Sequence, residues 1–176
     1  LSIAQLAGAS KFRPGRHAVS IGSMLFDAEF FRIAAKAFPD VTFHIIGSQA
    51  ARDPVADNVI WYATMPFADL PTYIRHASFG IAPYRDGPGT AYLSDTSLKL
   101  IQYGMFGLPS VCPHFAAGGK RLRYGYVPGD AASIVQAIEA ALACTNRTPV
   151  PGTSWQEVTA RALHPDRFPD SRIPSN

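Results

Sequence analysis

The chain has 176 residues, 47% of them hydrophobic and only 16% charged, which is ample for a real core and excludes an intrinsically disordered chain. Lys+Arg 16 against Asp+Glu 13 gives a formal charge of +3. That mild excess suits an anionic ligand or an anionic membrane face and does not argue for nucleic acid. No apolar run approaches the roughly 18 residues a spanning helix needs. In the opening LSIAQLAGASKFRPGR the basic residues follow the apolar part, the reverse of a signal peptide. The first residue is Leu rather than Met, so a piece of a longer polypeptide is expected. Cys112 and Cys144 sit in no C-x-x-C spacing and are expected as free thiols in a reducing compartment.

Residues 1–16, with Pro14 and Gly15, read as a linker remnant, 17–152 as the main domain, and 153–176 as a closing helix and tail. HAVSIGS (17–23) is the first strand, running into a turn at 22–26. DAEFFRIAAKAF is a helix with Asp27 as its cap and Phe30, Phe31, Ala34 and Phe38 facing inward, stopped by Pro39-Asp40. VTFHIIG (41–47) is a near-continuous apolar strand of the kind buried on both faces. NVIWY (58–62) is a third strand, 69–77 a short helix, and FGIAP (79–83) a fourth strand. After the glycine- and proline-rich loop 85–93 comes a helix, then a fifth strand at 109–113 and a sixth at 124–127. A helix over 130–143 carries the stripe Ile134, Val135, Ile138, Ala141 and Leu142. The last helix opens with a capping box, Ser154 and Glu157, and puts Trp155, Val158 and Ala162 on one side. From His164 the tail, with Pro165, Pro169 and Pro174, is expected to be extended and docked.

Strands alternating with helices imply βαβ units and a parallel sheet, in which ligands bind beyond the carboxyl ends of the strands. The loops 22–26, 65–67 and 84–93 fall at those ends. The stretch SDTSLKLIQYGMFGLPSVCP (94–113) runs on from the last of them. Its helix starts among Asp95, Thr96 and Ser97, ends near 104–107, and carries Leu98, Ile101 and Met105 as one buried stripe. Lys99 is the odd residue. A cation near a helix start opposes the macrodipole, and an anion bound there reverses the sign, because free N–H groups, hydroxyls and an ammonium converge on it. The alternative is a solvated lysine beside an ordinary cap at Asp95 or Thr96.

Other chemistries lack their residues. No G-x-G-x-x-G follows the first strand, no G-x-x-x-x-G-K-[ST] is present, and no D-x-D pair offers metal ligands. The histidines at 17, 44, 76, 114 and 164 show no metal spacing, and His44, in mid-strand, reads as a hydrogen-bonded core residue. Gly22-Ser23-Met24 lacks the second glycine of a nucleophile elbow. What remains is a binding constellation: Tyr84 at a strand end, and Lys99 with Gln102 on a helix face that Leu98 and Ile101 do not share. The GGKRLR run (118–123) is either a further set of cations for the site or a solvated loop.

SIGSMLFDAEFF, KAFPDVTFHIIG, YIRHASFGIAPY, SLKLIQYGMFGLPSVCP and RYGYVPGDAASI, in this order, resemble the carboxyl-terminal half of the GumK-like β-glucuronosyltransferases, glycosyltransferase family 70. The resemblance implies an α/β, Rossmann-like parallel sheet flanked by helices, one half of a GT-B fold. It implies inverting transfer of glucuronic acid from UDP-glucuronate to a polyprenol-diphosphate-linked oligosaccharide in exopolysaccharide synthesis. No metal cofactor and no nucleic acid are expected, and the enzyme would sit peripherally at the cytoplasmic face of the bacterial inner membrane. Lys99 would neutralise the donor diphosphate beside Ser97 and the helix start. Tyr84 would touch the phosphates or the sugar, and Met24, Leu98 and Gln102 would surround the uridine. Thr64 stands where the family leads one to expect an acidic residue holding the nucleotide, and Leu98 where methionine is expected. Arg85 or Arg123 would meet the glucuronate carboxylate. The catalytic base is expected in the amino-terminal half, so these residues alone would bind donor without turning it over. The alternatives are a non-catalytic nucleotide-binding module, a transferase using another UDP-sugar, and a membrane-docking domain.

Overall fold

The computed structural model describes residues 7–48, 56–152, 154–164 and 167. Beyond His164 and Arg167 the expected tail, with its three prolines, lies outside the described residues, as does the side chain of Trp155. Six strands form one parallel sheet in the order β3-β2-β1-β4-β5-β6. They are β1 (Arg16–Ile21), β2 (Val41–Ile46), β3 (Val59–Tyr62), β4 (Phe79–Ile81), β5 (Ser110–Pro113) and β6 (Arg123–Tyr126). The helices between them are α1 (Ala28–Ala37), α2 (Leu70–His76), α3 (Leu93–Thr96), α4 (Leu98–Met105), α5 (His114–Ala117), α6 (Ala131–Leu142) and α7 (Trp155–Leu163). From β1 the chain builds outward through β2 to β3, then returns to the other side of β1 for β4, β5 and β6. That reversal between β1 and β4 opens a crevice at the carboxyl edge of the sheet.

Alternating side chains divide the core in two. Ala18, Phe43, Ile45, Phe79, Ile81 and Tyr126 pack under α1 and α6 through Phe30, Phe31, Ile134 and Ile138. Val19, Ile46, Tyr84 and Cys112 pack under α2 and α4 through Tyr73, Ile74, Leu100 and Tyr103. Asp27 caps α1 by accepting from Glu29 N–H, Asp130 caps α6 by accepting from Ser133 N–H, and Ser154 caps α7 by accepting from Glu157 N–H. Phe38, expected on the inner face of α1, is instead its half-buried C-cap, and Ala35 takes the inner place. On α6, Ala137 joins Ile134, Ile138 and Ala141, while Val135 and Leu142 are half-buried. Val158 and Ala162 of α7 are exposed. Helix α5, four residues straight after β5, has no counterpart in the expectation, since HFAA is too short to show a period. Both cysteines are free, Cys112 fully buried.

The seating of α4 follows from one glycine. A Cβ at Gly80 would lie 2.5 Å from the Tyr103 ring, so the bare backbone of β4 lets that ring lie flat against the sheet. Tyr103 then donates to the carbonyls of Val19 at 3.1 Å and Ile81 at 3.4 Å, fixing α4 to β1 and β4 together. At the far end Gly107, φ +66°, closes α4, and a Cβ there would meet the Arg147 carbonyl at 2.0 Å.

Candidate binding site at the carboxyl edge of the sheet

Three strand ends and one helix start meet at the crevice. Beyond β1, Gly22 takes φ +82° and donates to the Ile46 carbonyl at 2.8 Å; beyond β2, Gly47 takes φ +77° and donates to the Tyr62 carbonyl at 3.2 Å. Both need the left-handed region that glycine enters without strain. The loop after β1 is stitched to the chain after β4, with Asp27 N–H on the Pro83 carbonyl at 2.8 Å and Arg85 N–H on the Leu25 carbonyl at 2.7 Å. Thr64, exposed, has its Oγ1 3.9 Å from where a Gly47 Cβ would lie.

The helix expected to start among 95–97 and end near 104–107 is α4, and the short α3 precedes it. Ser97, ψ 104°, breaks the chain between α3 and α4 and caps the latter, its Oγ accepting from Leu100 N–H at 3.3 Å. The cap is thus Ser97, not Asp95 or Thr96. This start also sets the rotation of α4, and it overturns the expected stripe. Leu100 and Tyr103 are the buried residues, whereas Leu98 is 73% exposed and Ile101 and Met105 are half-buried. The side chain that turns inward beside them is Lys99.

Lys99 Nζ is inaccessible to solvent and has no hydrogen-bond partner among the described residues, although part of its stem is exposed. It sits 4.9 Å from the centroid of the Tyr84 ring and 4.0 Å from where a Gly22 Cβ would lie. Burial pulls its pKa from the ordinary 10.5 down to about 8. Tyr84, 1% exposed, shares a 2.6 Å hydrogen bond between its hydroxyl and Ser97 Oγ. Burial of that phenol raises its pKa. Ser97 therefore serves as helix cap and as brace for the ring under the ammonium.

Of the expected site residues, Lys99, Ser97 and Tyr84 form this contiguous cluster, and Thr64 borders it through Gly47 and Gly22. Met24, 51% exposed, is in the same loop as Gly22, Leu98 starts α4, and half-buried Gln102 lies one turn beyond Lys99. Arg85 is exposed beside the crevice. Arg123 opens β6, and its guanidinium bonds the carbonyls of Ser94 and Ala116, tying α3 to α5, while its charge also reaches Tyr84. The rest of the GGKRLR run is likewise a set of stitches, Lys120 to Asp95 and the Ser94 carbonyl, Arg121 to the carbonyls of Thr148 and Pro149. Gly22 and Gly47 were not singled out in the sequence, although a glycine just past each of two adjacent parallel strands is the signal that finds them.

The stripe Leu98, Ile101 and Met105 lines a cavity of about 930 Å³ whose other walls include Val150, Val158 and Arg161. Lys99, Tyr84 and Ser97 do not line it. Lys120, Arg121 and Arg123 also line it, so the cavity gathers cations of its own, alongside Asp95. Those cations are partnered within the fold, Lys120 by Asp95, Arg161 by Glu157, and Arg121 and Arg123 by carbonyls. Lys99 Nζ, by contrast, has no hydrogen-bond partner among the described residues. Burying an ion in that state is costly, which makes the Lys99 crevice the stronger mark of a ligand site.

The fold defines a doubly wound, Rossmann-like α/β domain. Over 170 residues, 96% of its own length, the chain is 48% identical to the UDP-glucuronate:glycolipid 2-beta-glucuronosyltransferase of Xanthomonas campestris pv. campestris. It is a homologue of part of that enzyme, in keeping with the resemblance to the GumK-like transferases, and spans 42% of its length. No family model matches the chain. A solved alpha,alpha-trehalose-phosphate synthase (UDP-forming) from Burkholderia xenovorans, in complex with glucose-6-phosphate, matches 75% of this chain and 37% of that one, at 16% identity and a TM-score of 0.49.

Proposed function

We propose that the chain is the donor-binding half of a GT-B glucuronosyltransferase and that the crevice takes the diphosphate of UDP-glucuronate. The observation that carries this is the buried, unpartnered ammonium of Lys99 at the start of α4. The N–H groups of Leu98 and Lys99 belong to the first turn and have no intrahelical acceptor. Together with Lys99 Nζ they offer donors to one anion from two sides. Tyr84 presents its ring to the ammonium and its hydroxyl to Ser97. Phosphate oxygens would draw Lys99 off the ring without disturbing that brace.

In the reaction an acceptor hydroxyl displaces UDP at the anomeric carbon with inversion. Negative charge then builds on the leaving diphosphate, where Lys99 and the helix start stabilise it in place. The residues here bind donor and stabilise the leaving group. The base that deprotonates the acceptor is assigned to the other half, so donor binding without turnover is the expected behaviour of this chain. The acceptor, a lipid-linked oligosaccharide, and a peripheral place at the membrane's cytoplasmic face belong to the same reading, supported by the relative's activity on a glycolipid. Arg85 is the candidate for the glucuronate carboxylate. Thr64 gives the nucleotide one hydroxyl and no charge.

Calorimetric titration of the 176-residue chain with UDP and UDP-glucuronate tests the proposal. Saturable binding that is weakened by an order of magnitude or more in Lys99→Ala supports it. No binding, or the same binding in the variant, removes the site.

A further inference from the structure

A second buried ionisable group lies on the same face of the sheet, away from Lys99. His17 of β1 and His44 of β2 are 7% and 4% exposed, and their rings meet directly, Nδ1 of His17 to Nε2 of His44 at 2.9 Å. The row continues on both sides. His17 Nε2 lies 2.7 Å from the Arg13 carbonyl, and His44 Nδ1 lies 2.9 Å from the Tyr62 hydroxyl at the end of β3.

One atom settles every proton in the row. A carbonyl only accepts, so His17 Nε2 carries hydrogen. The neutral His17 then has a bare Nδ1, which accepts from His44 Nε2–H. His44 Nδ1 is bare in turn and accepts from Tyr62 O–H. A single added proton goes to His44 Nδ1, which then donates to the Tyr62 oxygen, while His44 Nε2–H goes on donating to His17 Nδ1. A second proton would set two N–H groups face to face. The pair therefore holds one extra proton at most.

The rings are roofed by the segment that precedes β1. Phe12 stacks on His17 with centroids 4.4 Å apart, lies 4.4 Å from His44, and meets Tyr73 edge-on. Gly8 is pinned to α2, its N–H on Thr72 Oγ1 at 3.0 Å and its carbonyl accepting from His76 Nε2 at 3.0 Å. The charged neighbours are cationic or already paired. Lys11 Nζ sits 5.4 Å from the Tyr73 ring, and Arg16 bonds Asp40 at 2.9 Å. Tyr62 and Tyr73 present neutral phenols from β3 and α2. Among the described residues no carboxylate pairs with either ring.

We propose that residues 7–15 are a proton-released strap, held on the sheet by the neutral His17–His44 pair and freed when that pair is protonated. Release uncovers Phe12, Tyr73 and the two rings. The same proton turns Tyr62, which closes β3, from donor to acceptor.

The expected window follows from the direction of the shift. Burial, then repulsion from His17, pulls His44 from 6.5 down to about 4. A group depressed in this way favours the closed strap at pH above 6.5 and loses that contribution as pH falls towards 4. Strap opening should therefore rise as pH falls from 7 to 5, by at most about twentyfold, the limit reached when opening relieves the whole of the shift.

Hydrogen exchange by mass spectrometry on the 176-residue chain, corrected for intrinsic rates at the two pH values, reads this directly, with α6 amides as internal control. The rise should be confined to residues 7–15 and should vanish in His44→Phe, which keeps a ring under Phe12 but takes no proton. Equal opening at both pH values, or an undiminished pH response in His44→Phe, overturns the proposal. Side-chain nitrogen spectra of the unmodified chain give an independent check. At pH 7 both Nδ1 atoms should be bare, and a proton on either one refutes the row. Neither readout involves nucleotide, so failure here is distinct from failure of the donor site.

Discussion

Replacing Lys99 with methionine should make the empty protein more stable while removing its ligand. Methionine keeps the length of the stem and takes away the charge. A pKa lowered from 10.5 to about 8 means the fold disfavours the ammonium by about 3 kcal/mol. Lys99→Met also forfeits the contact with the Tyr84 ring, worth about 1 kcal/mol. The net expectation is a gain of about 2 kcal/mol at pH 7, seen in a chain of this size as a rise in Tm of roughly 4–8 °C. The pH dependence gives the result its signature. Because the folded pKa lies below the unfolded one, the penalty is full below pH 8 and fades as pH rises to 10.5. The stability difference between variant and parent should therefore close over that interval. Affinity for UDP should move the other way, falling roughly 10- to 100-fold with the loss of a charged hydrogen-bond donor. Thermal unfolding from pH 7 to 10.5, paired with calorimetry, measures both. A destabilised Lys99→Met would mean that the ammonium has a partner inside the fold, and the anion-site reasoning would be wrong.

The remaining expectations concern the same apparatus. UDP affinity should fall about eightfold between pH 7.5 and pH 9 as Lys99 loses its proton, and Lys99→Met should show no such slope in calorimetry. Ser97→Ala removes the cap of α4 and the partner of Tyr84, so urea unfolding should register a loss of about 1–2 kcal/mol. Tyr84→Phe breaks only the bond to Ser97 and keeps the ring under Lys99, for a loss of about 1 kcal/mol. Gly80→Ala puts a methyl 2.5 Å from the Tyr103 ring and should cost about 1–3 kcal/mol, with UDP binding weakened in the folded fraction because α4 is displaced.

The sheet was legible because its strands announce themselves. VTFHII is apolar but for Thr42 and His44, as suits a strand covered on both faces, and all of it but half-buried Thr42 is buried. Asp27, Asp130 and Ser154 were legible as caps for a similar reason, since a short acceptor at a helix start acts on its own backbone and needs no distant partner. What sequence could not show is which way α4 is turned. Leu98, Ile101 and Met105 have the helical period of a buried stripe, and hydrophobicity alone would bury them. The rotation is decided by a contact outside the helix, the Tyr103 ring on the bare backbone of Gly80, twenty-three residues earlier. His17 and His44 pose the same difficulty, because only strand pairing brings together rings that are far apart in the chain.

His44 is the hydrogen-bonded core residue it was expected to be, and its place and that of Lys99 share a physical logic. In each, an ionisable side chain occupies a position where an apolar one would be more comfortable, and the fold around it is over-determined. Tyr103 is held by two carbonyls and Ser97 by a backbone N–H and a phenol, so α4 cannot roll to release Lys99 into solvent. A lysine on an adjustable helix would simply turn outward, and its burial would mean little. Because the helix is fixed from both ends, the cost of the bare ammonium persists in the empty protein and is relieved only by loss of the proton or by something that enters. In the proposed donor site, binding energy is thereby stored in the scaffold as an unmet charge, to be collected by an anion small enough to approach the glycine turns at residues 22 and 47.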